Sequence, residues 1–136
     1  MSVLDSIELI SRKRIEDDRG CFLKVIDGHE SNLAFKPGEV YLTLAKPGQV
    51  RGNHYHPLTS EWFTVVLGRA RLVMSDPETT ERREILLSAD KPTTVYIPCG
   101  VGHAFVNPPG SYEDMLLLAF ADRTFDPGDT IALDLV

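Results

Sequence analysis

From Glu39 onward the chain alternates apolar and polar residues in short runs, most of them closed by glycine or proline turns. A period of two marks half-buried strands. It predicts strands over 39–45, then one carrying His54 and His56 between the turns at 46–48 and 57–60, then 61–67, 69–75, 84–87, 93–97 and 103–107, with 61–67 and 69–75 joined as a hairpin at Gly68. Turn chemistry falls at Lys46-Pro47-Gly48, 57–60, 76–80, 98–102 and Pro108-Pro109-Gly110. The run 115–121 is apolar on both faces, which predicts a central strand or a subunit contact. Residues 125–129 turn once more before a last run at 131–136. The N-terminal part is less regular. Residues 7–15 read as a strand or a short helix, 17–20 as a turn, 21–26 as a strand, 27–32 as a polar loop and Lys36-Pro37-Gly38 as another turn. No stretch has the period of an amphipathic helix. The expected fold class is all-β, a sandwich or barrel, with residues 1–136 forming one domain.

Within that pattern, the stretch Gly48–Gly68 carries the candidate chemistry. His54 and His56 stand two apart, so in a strand both rings point to one face. Glu61, Phe63, Val65 and Leu67 share a face of the following strand, with Trp62, Thr64 and Val66 on the other. Two imidazoles and a carboxylate turned to one interior suit a first-row divalent metal. A second stretch, Pro98-x-Gly100-x-x-His103-x-x-x-Asn107, sets a third histidine at the start of a strand behind a tight turn. Only His29 of the four histidines stands outside these stretches, and it is expected to be a solvated side chain.

These residues resemble the two motifs of the cupin superfamily. Gly48, His54, His56, Glu61 and Gly68 match every defined position of the first motif. Pro98, Gly100, His103 and Asn107 match the second, with Pro92 standing where the family places a glycine. The resemblance implies a double-stranded β-helix, the small jelly-roll barrel, with His54, His56, Glu61 and His103 as metal ligands. Three imidazoles and a carboxylate leave coordination positions open to a substrate oxygen. The donor set suits zinc or iron first, and manganese or nickel as well.

Two further likenesses narrow the reaction. Asp17-Asp-Arg19-Gly-Cys-Phe22 and Arg51-Gly-Asn-His54-Tyr resemble segments of the dTDP-4-dehydrorhamnose 3,5-epimerases and the related ketoisomerases, with Lys24 where the epimerases usually carry glutamate. That implies Arg19 and Phe22 as nucleotide-binding residues and His54 in proton transfer. From Val40 to Val136, including Phe125-Asp-Pro-x-Asp129-Thr, the chain resembles the C-terminal cupin domain of bifunctional capsular-polysaccharide enzymes. Those enzymes carry a reductase domain before it, and only the epimerase-like half is expected here. The implied substrate is a nucleotide-linked 4-keto-6-deoxy sugar, deprotonated beside its carbonyl to a metal-stabilised enolate. If a metal takes all three histidines, Tyr41, Tyr55 and Tyr96 are the candidate proton carriers. Arg51 is the candidate for a diphosphate. Cupins perform many chemistries, so a non-catalytic ligand-binding cupin and a metal-dependent dioxygenase stand as alternatives.

Composition restricts the partners. The 136 residues carry a net charge of −6 with 43% hydrophobic and 25% charged residues, an ordinary soluble balance. A pI near 5.1 argues against nucleic acid or an anionic membrane surface as partner. There is no membrane-length apolar run and no signal-peptide pattern. Cys21 and Cys99, far apart, read as reduced thiols of a cytoplasmic protein, with Cys99 expected to be buried or half-buried. A homodimer is expected, since barrels of this family commonly pair and 115–121 lacks a polar face.

Overall fold

Alternation closed by turns produces antiparallel strands. The computed structural model, which describes residues 2–33 and 38–136, contains twelve of them. They are β1 (Glu8–Ser11), β2 (Arg14–Asp17), β3 (Gly20–Leu23), β4 (Glu39–Ala45), β5 (Val50–Tyr55), β6 (Glu61–Leu67), β7 (Arg69–Ser75), β8 (Arg82–Ser88), β9 (Thr93–Ile97), β10 (Gly102–Val106), β11 (Met115–Ala121) and β12 (Ile131–Ala132). The only helical pieces among the described residues are single 3₁₀ turns at Val3–Ser6 and Pro127–Asp129. Most of the turn expected at Lys36-Pro37-Gly38 lies outside the described residues.

Two five-stranded antiparallel sheets form the barrel, in the orders β1-β9-β6-β11-β4 and β12-β5-β10-β7-β8. From β4 to β12 the chain crosses between the sheets repeatedly, as a double-stranded β-helix does. The apolar alternate positions of both sheets meet inside. Phe63, Val65, Val95, Met115 and Leu117 come from the first sheet, and Ala70, Leu72, Met74 and Phe105 from the second. This shared interior is the domain's core.

The hairpin expected at Gly68 does not form. β6 pairs with β9 and β11, whereas β7 pairs with β8 and β10, so Gly68 is where the chain passes from one sheet to the other. Its φ is 77°, and a Cβ there would lie 2.5 Å from the Asp114 carbonyl oxygen. Only glycine fits that corner. The ambiguous N-terminal segment resolves as β1 followed by the separate β2–β3 ribbon, and the strand expected over 21–26 ends at Leu23. β11 is central, flanked by β4 and β6. Its odd-numbered residues are buried in the barrel and its even-numbered ones half-buried outside.

Candidate metal centre and substrate cleft

The two motifs meet because β5 and β10 are neighbours, with His54 directly opposite His103. Strand alternation alone does not bring this about. Gly52 (φ 92°) and Asn53 (φ 67°) both adopt left-handed backbone, and the register slips between His103 and Ala104. A Cβ on Gly52 would sit 2.8 Å from the His103 carbonyl oxygen, so glycine lets the two histidine strands close up. His56 lies one residue beyond the end of β5. Its carbonyl accepts the Gly100 N–H at 2.8 Å, which ties the turn of the second motif to the first. Asn107 is a scaffold residue: its side-chain amide donates to the carbonyls of Ala45 and Glu113.

His54, His56 and His103 each present a ring nitrogen, and all three nitrogens lie within 4.8 Å of one another. His103 is fully enclosed, packed near Phe63 and Phe105, while His54 and His56 are half-buried. Nδ1 of His56 lies 2.8 Å from the Asp129 carbonyl, and Nδ1 of His103 lies 3.1 Å from the Val101 carbonyl. A carbonyl only accepts, so each Nδ1 carries the proton and each Nε2 offers its lone pair to the centre.

Glu61, at the start of β6, supplies the carboxylate. One oxygen accepts the Tyr41 hydroxyl at 2.6 Å. The other is 3.1 Å from Nε2 of His56 and 3.9 Å from Nε2 of His103, yet it is buried without an aligned hydrogen-bond partner. With Nδ1 protonated, a neutral His56 points a lone pair at this anionic oxygen. That contact is favourable only when a proton or a metal cation lies between them.

The protonation directions agree with this account. Burial drives His103 down to about 4, and burial with the neighbouring His56 lowers His54. Burial also opposes charge on His56, but the Glu61 carboxylate outweighs it and raises this ring above its ordinary value. Burial works against the Glu61 charge, and His56, His103 and the Tyr41 hydroxyl hold the carboxyl below its usual range despite it. Burial and the Glu61 charge push Tyr41 far above the ordinary phenol range. The directions at His54, His103 and Glu61 favour the neutral imidazoles and ionised carboxylate that a divalent cation requires, and at His56 a cation would replace the proton that Glu61 attracts, so the residues fit one.

His54 and His56 form the floor of a cleft of about 490 Å³ bounded by Tyr41, Arg123, Phe125 and Asp129. A smaller chamber of about 220 Å³ on the other side of His54 is lined by Arg51, Thr43, Phe63 and Phe105. Tyr41 lines both. The remaining expected residues lie elsewhere. Arg51 Nε donates to the Leu44 carbonyl at 2.7 Å beside the smaller chamber. Tyr55 alternates away from the histidines on β5 and lines neither space, and Tyr96 stacks on Trp62 on the outer face of its sheet. Arg19 and Phe22 sit on the β2–β3 ribbon, where Arg19 pairs with Asp17 at 2.7 Å and Phe22 borders a separate surface pocket. Within one chain, neither reaches the cleft. His29 is a solvated side chain as expected, whereas Cys99 is exposed rather than buried; Cys21 and Cys99 are both free thiols.

Two cleft residues escaped the sequence reading. Arg123 follows β11 with no motif to mark it, and it is the one cation among the cleft's described lining residues. Asp129 ends the Asp126-Pro-Gly-Asp129 turn, which was legible as a turn and not as part of the site.

Comparison with known proteins agrees with this geometry. Residues 15–131 match the family described as the polysaccharide biosynthesis C-terminal domain. Over 110 residues the chain is 30% identical to the UDP-2-acetamido-2,6-beta-L-arabino-hexul-4-ose reductase of Pseudomonas aeruginosa, covering 81% of this chain and 27% of that protein. It superposes on the capsular polysaccharide assembling protein CapF from Staphylococcus aureus with a TM-score of 0.67 and 31% identity, over 90% of this chain and 34% of that one. This chain thus spans about a third or less of either relative. A dTDP sugar isomerase from Desulfovibrio desulfuricans superposes with a TM-score of 0.86 at 18% identity, over 99% of this chain and 88% of that chain, which shows a shared fold. On the match across its barrel strands, the chain belongs to the polysaccharide biosynthesis C-terminal domain family, built on a cupin barrel.

Proposed function

We propose that this chain is a metal-dependent epimerase or isomerase of a nucleotide-linked 4-keto-6-deoxy sugar. The observation that carries the reading is the unaligned, buried Glu61 oxygen facing two Nε2 lone pairs at the floor of an open cleft. That floor is built for a divalent cation held by His54, His56, His103 and Glu61. When bound, such a cation supplies a Lewis acid for a substrate carbonyl oxygen.

The chain's own residues do the remaining work. Tyr41, anchored to Glu61, is the phenol nearest the floor and the favoured proton donor among the tyrosines. Among the described residues no hydrogen bond restrains the ring of His54, which lines both the cleft and the smaller chamber. Arg123 at the cleft rim offers its guanidinium to a diphosphate. Arg51, committed to the Leu44 carbonyl through Nε, keeps its terminal nitrogens for a ligand in the smaller chamber. The Pseudomonas relative, named for a UDP-linked 4-keto hexose, supports the substrate class. We also read the outer face of the β4–β11 pair as the contact of a homodimer.

The test is incubation with UDP- and dTDP-linked 4-keto-6-deoxyhexoses in heavy water. Deuterium is expected at the carbon next to the carbonyl. No exchange with any such sugar, in a protein shown to bind them, sinks the epimerase reading.

A further inference from the structure

The C-terminal turn at residues 126–129 lies outside both histidine motifs, yet it is wired to one of the metal-site rings. The Asp129 carbonyl takes the Nδ1 proton of His56 at 2.8 Å, and the Thr130 hydroxyl lies 3.3 Å from the same nitrogen. Asp129, a residue only 4% exposed, spends its carboxylate on the segment immediately after His56. One oxygen accepts the Leu58 N–H at 2.7 Å and the other accepts the Thr59 hydroxyl. The turn is itself rigid. Asp126 accepts the Gly128 N–H through its side chain, and its carbonyl accepts the Asp129 N–H, both at 2.9 Å.

The residue that orients the ring is therefore also fastened to the chain that carries the ring. From this closed loop of bonds we infer that Asp129 is a positioning residue for the metal centre, fixing the ring angle of His56 and keeping its proton on Nδ1. The inference rests on the metal reading above. An imidazole free to flip would offer either nitrogen, and half of its orientations would turn the lone pair away from Glu61. A buried carboxylate is costly, and this one is repaid by two donors that belong to the segment following His56. A purely structural clamp would hold the backbone but would have no reason to place its carbonyl on Nδ1, the ring nitrogen opposite the one that faces the centre.

The test uses the full chain stripped of metal and titrated with zinc and with cobalt(II). Asp129→Ala is expected to weaken zinc binding about tenfold or more, the range typical for loss of an outer partner of a metal ligand. It should also change the visible spectrum of the cobalt form. Asp129→Asn keeps an acceptor for Leu58 and a donor for the Thr59 hydroxyl, and is expected to restore most of the affinity. Thr59→Val, which cuts one anchor without touching Asp129, should shift affinity in the same direction by less. It serves as the deciding variant if Asp129→Ala does not fold. Long-range proton–nitrogen NMR of the metal-free chain at pH 9 should show His56 protonated on Nδ1.

Unchanged zinc affinity and cobalt spectrum in the folded variants overturn the inference and leave the metal reading standing, as does a His56 ring protonated on Nε2. Failure of the unaltered chain to bind either metal removes the metal reading itself, and the inference with it.

Discussion

At the scale of single residues, the site is a set of side chains whose second contact decides what the first can do. His56 and His103 surrender Nδ1 to backbone carbonyls and so keep Nε2 for the centre. Glu61 gives one oxygen to Tyr41 and leaves the other facing the rings. Arg123 differs: among the described residues its guanidinium makes no hydrogen bond or ion pair. It stands among Glu39, Glu61, Asp126 and Asp129 at the cleft, which is acidic without it. An anionic diphosphate entering there meets one guanidinium and several carboxylates, so the guanidinium should decide whether binding occurs. Arg123→Ala is expected to weaken UDP or dTDP binding about tenfold, a cost of about 1.4 kcal/mol, in calorimetric titration. Equal affinity in the variant would place the diphosphate elsewhere, with Arg51 the next candidate.

At the scale of elements, the close approach of β5 and β10 is the step on which the centre depends. His54 and His103 face each other only because Gly52 and Asn53 distort β5 and Gly52 carries no side chain. Gly52→Ala would put a methyl 2.8 Å from the His103 carbonyl in a backbone region that alanine resists. We expect a loss of about 1–3 kcal/mol, read as a fall in melting temperature of several degrees. We also expect a weaker metal site, because the strand must move. A variant with unchanged stability and zinc affinity would mean that the strand absorbs the methyl freely. Asn53 plays the complementary part. Its left-handed backbone turns the side chain to the C-terminal tail, where Oδ1 accepts the N–H of Leu135 at 3.0 Å and that of Val136 at 3.3 Å. The tail is thereby held across the edge of the second sheet beside β12, close to the turn that carries Asp129.

At the scale of the whole molecule, an apolar sheet face stands open among the described residues. Val40 and Leu42 on β4 are 62% and 61% exposed, and Leu118 and Phe120 on β11 continue the same apolar outer face. An apolar sheet face of this kind marks an interaction surface. Among the described residues no helix is long and apolar enough to cross a membrane. A second copy laid on this face would bury both edges symmetrically. Sedimentation should find the chain dimeric at micromolar concentration, and Leu42→Lys should make it monomeric with its barrel intact by circular dichroism. A wild-type chain that sediments as a monomer removes the dimer.

Features that depend on local periodicity and spacing could be read along the chain. The strand runs, the all-β class, the three clustered histidines and Glu61 were legible because period-two alternation and paired motif positions are properties of a few consecutive residues. Local spacing could not say which strands pair. The run across Gly68 reads as a hairpin, yet the barrel takes a crossing between sheets there because each strand's apolar face must find the interior. Nor could spacing separate Tyr41, which meets Glu61, from Tyr96, whose place on β9 turns it to the outer face against Trp62. Asp129 and Arg123 were invisible for the same reason: they join the site from residues after β11, through contacts that exist only once the chain has closed around the histidines. The candidate ligand residues were a matter of sequence. Their orientation, and the cleft above them, were decided by long-range packing.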